Sequence, residues 1–134
     1  MMRRLLLTAP LLLALGACAN MDGLFGPPPA RTFPLFFSED SALLGDNARG
    51  IVAMAVDAAK ANPQAKVTVR GFASPDTGTV AFNRALSEAR ARAVAEALVV
   101  GGIPSSRIGI EPRGAVAGAM FPTEARRVEI HIGG

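Results

Sequence analysis

Two breakers, Asn62-Pro63 and Gly101-Gly102, cut the chain where its apolar spacing changes from helical to strand-like or back, and that alternation leaves few folds open. Asp46 or Asn47 can cap a helix running to about Ala61, with Ile51, Val52, Ala55 and Ala58 on one face. Asn62-Pro63 stops it, because the residue before a proline is pushed out of the helical region. Lys66 to Arg70 alternates as a strand with Val67 and Val69 on the core side. Gly71 to Gly78, with Pro75 and Asp76, reads as a loop. A second helix runs from about Val80 to Val100 and ends at Gly101-Gly102. Phe33–Ser38, Arg107–Arg113 and Arg127–Ile132 read as further strands, the last two joined by a Gly/Ala-rich loop. The order is β-α-β-α-β-β, which predicts an α/β (α+β) two-layer sandwich with two helices packed on a mixed sheet.

The second helix holds a cation out of place. With Leu86 at zero and about 100° per residue, Phe82, Leu86, Ala89, Ala93 and Ala97 fall within about 60° of zero. That arc is the expected buried stripe. Arg84, Glu88 and Arg92 lie opposite, a ladder of alternating charge on the solvent side. Arg90, at about 40°, lies inside the stripe. A buried guanidinium needs partners. Three readings stay open: an ion pair with a loop carboxylate, a stem that snorkels to water, or a fork aimed at a ligand carboxylate.

The N-terminus reads as an address. Met1–Arg4 is a basic start, Leu5–Leu15 is apolar, and Leu15-Gly16-Ala17-Cys18 closes the run, the three regions of a secretory signal. The run is too short to span a bilayer, which takes roughly 20 residues. Its ending resembles the lipobox of bacterial lipoproteins, in which the Cys is acylated and becomes the new N-terminus. The expected organisation is residues 1–17 as lipoprotein signal peptide, 18–32 as lipidated Cys18 and a Pro/Gly-rich tether, and 33–134 as the domain. Cys18 is the only cysteine, so no intramolecular disulfide is possible. The 14 basic residues less Arg3 and Arg4 leave 12 against 11 acidic ones. So balanced a chain gives no electrostatic footprint for nucleic acid.

The residues also match a family. Asn83-x-x-Leu86-Ser87-x-x-Arg90-Ala91-x-x-Val94, preceded by Val67-Thr68-Val69-x-Gly71, resembles the OmpA-like peptidoglycan-binding domain. Phe37-Ser38-Glu39-Asp40-Ser41-Ala42-x-Leu44, Ala61-Asn62-Pro63 and Arg126-Arg127-Val128-Glu129-Ile130 agree with it in order and spacing. The resemblance covers about Phe33 to Ile132 and implies non-covalent binding of peptidoglycan through the diaminopimelate of its stem peptide. It implies that Arg90 receives the ligand carboxylate. Ser74 stands where the family carries an Asp for the ligand ammonium, and Asp76, two places along, is the alternative for that role or a turn residue. Phe72 and Asn83 complete the implied ligand-binding set. Ala125 stands where the family often has Asn before Arg-Arg.

No enzyme is expected. Glu129 and His131 face away from the core if Val128, Ile130 and Ile132 face it, and His131 has no metal or triad partners in the pattern. Glu39 and Asp40 read as turn residues rather than an acid–base pair. No cofactor or metal is called for. The expected partners are peptidoglycan, the outer membrane through Cys18, and other envelope proteins, with the domain in the periplasm. The alternative is a domain that keeps the fold without wall binding and serves as a protein-interaction module.

Overall fold

The computed structural model describes residues 29–75, 78–115 and 122–133. The signal segment, Cys18, most of the tether and Asp76 lie outside the described residues. The chain runs β1 (Arg31–Phe36), α1 (Asp46–Ala61), β2 (Val67–Ala73), α2 (Val80–Val100), β3 (Ile108–Ala115), a short α3 (Pro122–Ala125) and β4 (Arg127–Ile132). The sheet order is β1-β4-β2-β3. β2 and β3 are parallel, while β4 runs antiparallel to both β1 and β2. The β-α-β-α-β-β order and the two-layer mixed sheet agree with the sequence, and α3 is an addition to it.

Local chemistry accounts for most boundaries. Thr79 caps α2 by accepting a bond from Phe82 N at 3.1 Å, the usual rescue of a free first-turn N–H. α1 departs from expectation: its N-cap is Gly45, with no side-chain cap bond, and Asp46 lies in the first turn, where an anion suits the helix dipole. Its other end is closed from a distance. Arg107 donates from Nη2 to the carbonyls of Ala59, Asn62 and Ala65 at 2.8–3.0 Å, gathering the helix end and the turn that follows it. β1 lies two residues earlier than the sequence indicates. β2 extends through Ala73, three residues into the expected loop, because Gly71, Phe72 and Ala73 continue the ladder on β3 across a register shift.

One face of the sheet packs on the helices. Leu35, Val67, Val69, Val128, Ile130 and Ile132 meet Val52, Ala55, Ala59, Ala91, Val94 and Leu98 in one core. The expected stripe on α2 is wrong. Asn83, Ser87, Arg90, Ala91, Val94, Ala95 and Leu98 are buried, an arc centred about 100° round from Leu86. Phe82 is 44% exposed, and Ala89 is exposed too. The cause is close approach. A Cβ added at Gly71 would sit 2.0 Å from Ser87 O and 3.1 Å from Ala91 Cβ, so this contact admits only small side chains on the helix.

The opposite sheet face is polar. Arg127 Nε donates to Glu129 Oε1 at 2.8 Å, and His131 Nε2 meets Glu129 Oε2 at 2.9 Å. Arg70 Nε pairs with Glu111 Oε2 at 2.8 Å. Burial pushes the Glu129 carboxyl up, but the bonds from Arg127 and His131 outweigh it and hold the group below the usual carboxylate range. A carboxyl lowered in the folded state stabilises above its unfolded pKa, about 4.3 for Glu, and loses that contribution as pH falls through the folded value. We therefore expect Glu129→Gln to cost about 1–2 kcal/mol at neutral pH. Its melting temperature should fall less than wild type's as pH is lowered below about 4. Parallel melting curves down the acid range would dismiss the network as a source of stability.

Candidate functional site

α2 carries three buried polar side chains in its first half, Asn83, Ser87 and Arg90. Their i, i+4, i+7 spacing places them on one face, and this polar run is the signal that the hydrophobic pattern alone misses. Ser87 Oγ donates to Arg84 O at 2.8 Å and accepts from Gly114 N at 3.0 Å, latching α2 to β3.

Arg90 is wholly buried. Its Nε donates to Ser41 O at 2.8 Å, its Nη1 to Phe72 O at 3.1 Å and its Nη2 to Ser38 O at 3.1 Å. The guanidinium also lies 5.4 Å from the Phe37 ring centroid, within cation–π range. Its direct partners are therefore main-chain carbonyls and a ring face, and none of them is a carboxylate. The geometry ties α2 to the β1–α1 loop and to the end of β2. Burial, followed by the charge of Arg126, pushes the group down, while Asp40 draws it up. Arginine remains a cation throughout.

The other implied residues divide. Ser74 is buried just past β2, at 5% exposure. Phe72 reaches Arg90 only through its carbonyl. Its ring lies on the far side of the sheet, 4.2 Å from the Arg127 guanidinium, so its side chain is separated from Arg90. Asn83 is 3% exposed, and its Oδ1 is buried without a hydrogen-bond partner. Such an orphan is uncommon in folded proteins and calls for an explanation.

Arg126 stands just ahead of β4. Its backbone joins the site directly: its carbonyl accepts from Phe37 N at 2.8 Å. Among the described residues its side chain makes one bond, Nη2 to Thr123 Oγ1 at 3.4 Å, and its Nε is a buried donor without a partner. The charges of Arg126 and Asp40 both reach Arg90, the first opposing its charge and the second favouring it. No group of three or more His, Cys, Asp or Glu could hold a metal ion among the described residues, and no helix among them is long and apolar enough to cross a membrane. His131 bonds Thr32 and Glu129 on the polar sheet face.

Comparison with known proteins places these features in context. The family model described as the OmpA family matches residues 36–127. The chain is 40% identical over 80 residues to outer membrane protein 40 of Porphyromonas gingivalis, an alignment covering 60% of this chain and 21% of that protein. It spans about a fifth of that relative's length. Among solved structures it resembles the OmpA-like domain of FopA1 from Francisella tularensis, with a TM-score of 0.70 and 27% identity, covering 78% of this chain and 73% of that one. It also resembles the cell wall anchor of the T6SS from Pseudomonas aeruginosa, with a TM-score of 0.64 and 25% identity over 78% of this chain and 81% of that one.

Proposed function

The chain belongs to the OmpA family, and from that membership we propose that it binds peptidoglycan non-covalently and joins the outer membrane to the cell wall. The observation that carries the reading is the family match across nearly the whole folded domain. Its likeness to a cell wall anchor supports it. Stem-peptide diaminopimelate offers a carboxylate and an ammonium, for which Arg90 and the buried acceptor on Asn83 are candidate partners. Asp76 and Ser74 belong to the same loop, so they are candidates for the ammonium. The proposed role is binding, as membership of the family suggests.

Acylated Cys18 is the proposed anchor, with residues 19–32 as a tether of at most about 45–50 Å. The domain then works within reach of the outer membrane, in the periplasm. Many weak contacts on one surface give the joint its strength by avidity.

The test is co-sedimentation of the full chain, in mild detergent, with purified peptidoglycan sacculi. Wild type should pellet with the sacculi and stay in solution without them. Folded protein that stays in the supernatant refutes wall binding and favours a protein-interaction module in an envelope complex. Failure of the chain to take up labelled palmitate in cells would remove the lipid anchor separately.

A further inference from the structure

An uncovered apolar groove and the start of β1 lie at the same end of the sheet. β3 is the last strand on its side and, among the described residues, pairs only with β2. Its outer edge therefore offers main-chain donors and acceptors to an extended segment. Between that edge and the C-terminal half of α2 runs a groove of about 390 Å³, lined by Ala95, Val99, Val100, Ile108 and Ile110. Val99 is 45% exposed, Val100 89% and Ile110 40%. Clustered apolar surface of this kind marks a contact site, where scattered single residues would not.

Arg31 pairs with Ile132, Ile132 with Val67 and Val67 with Ile108, so these four residues form one row across the sheet. Three strand spacings of about 4.8 Å separate Arg31 from Ile108, roughly 14–15 Å in all. Ala30 lies just ahead of that row, its Cα 3.6 Å from a methyl placed on Gly133. The sequence before it is Met21-Asp22-Gly23-Leu24-Phe25-Gly26-Pro27-Pro28-Pro29. Phe25 precedes Arg31 by six residues, a reach of about 19–22 Å for an extended or proline-rich chain. That span is enough to bring Leu24 and Phe25 to the groove.

We propose that Leu24 and Phe25 dock into this groove of their own domain, between α2 and the outer edge of β3. Two adjacent large apolar side chains have no use in a tether that stays in water, and burying them is favourable. The flanking Gly23 and Gly26 carry no side chain to hold the main chain off the edge strand. Pro27-Pro28-Pro29 is a semi-rigid spacer for the crossing, with little freedom left to lose. The occupant is this segment and not a second copy because so short a connection keeps it beside the groove at millimolar effective concentration. The inference stands apart from wall binding. With the proposed anchor at Cys18, docking leaves residues 19–23 as the free span and holds the domain closer to the membrane than the whole tether would.

The chain has neither Trp nor Tyr, so Phe25→Trp in the full chain installs a single fluorescent reporter. In mild detergent its emission should lie to the blue of free tryptophan and resist quenching by acrylamide, at every protein concentration. Val99→Asp or Ile110→Lys, each combined with Phe25→Trp, should abolish both effects. Their melting temperatures should stay near that of Phe25→Trp alone, since both positions are partly exposed. A photo-reactive phenylalanine at position 25 tests the same contact with the groove unaltered, and its cross-links should fall within residues 95–110 of the same chain. Solvent-like emission from Phe25→Trp overturns the proposal. So does a blue-shifted emission that persists in the folded groove variants, which places the side chain in the micelle. An emission shift that fades on dilution overturns it in favour of a second copy. Cross-links that fall elsewhere overturn it even where a groove variant does not fold.

Discussion

Arg90→Leu is expected to destabilise the domain by about 3–5 kcal/mol, a large part of the 5–15 kcal/mol typical of a domain this size. Leucine keeps much of the volume and removes every donor. The carbonyls of Ser38, Ser41 and Phe72 would then lose their guanidinium partner in a site the side chain now seals completely. An unsatisfied buried polar group costs about 1–3 kcal/mol, and water entering the space would recover part of the total. The Phe37 ring would lose its cation as well. Arg90→Lys should fall between, because an ammonium keeps the charge but cannot span three carbonyls in a plane. Urea denaturation of the three proteins measures this directly. A midpoint for Arg90→Leu near that of wild type would mean the loop carbonyls are readily solvated, and the latch described for Arg90 would be wrong.

Gly71→Ala should be nearly as damaging, by about 3 kcal/mol, through sterics alone. The new methyl would sit 2.0 Å from Ser87 O and 2.9 Å from Ser87 C. Both are main-chain atoms of α2, so no side chain can turn aside to make room. The helix must lift from β2, weakening the Ser87 Oγ bond to Gly114 N and the packing of Ala91. Gly50→Ala is the matched control. It lies in α1 with nothing within 4 Å of an added methyl, so it should be neutral or stabilise by about 0.5–1 kcal/mol. Equal effects from the two substitutions would show that the α2–β2 contact does not govern the outcome at Gly71.

Much of the fold is legible in the residues. The bounds of α2 agree because Thr79 and Gly101 are a good cap and stop. The strand alternation on β4 holds, with Val128, Ile130 and Ile132 buried and Glu129 and His131 on the other face. The extension of β2 was hidden by Gly71, which reads as a loop residue but serves as a contact surface. The N-terminus of α1 escaped because its cap is a glycine without a side-chain bond.

The candidate site was only half visible. Arg90 stood out because a charge inside an apolar arc is anomalous whichever nearby arc is buried. Arg107 gave no such signal, since the carbonyls it serves belong to Ala59, Asn62 and Ala65, and main-chain acceptors leave no mark on residue identity. Asn83 was indicated by the resemblance to the family, and its unpartnered Oδ1 emerged only from the packing around it.

The sequence by itself determined the succession of strands and helices, because breakers, caps and two-residue alternation are properties of neighbouring residues. Only the tertiary structure decided which arc of α2 faces the sheet and what Arg90 holds. Helical periodicity fixes the angles between side chains on one helix, but not the rotation of that helix against its neighbour. That rotation was set by the contact at Gly71, where the helix backbone comes so near the strand that small and backbone-bonded side chains displaced the larger apolar ones from the interior.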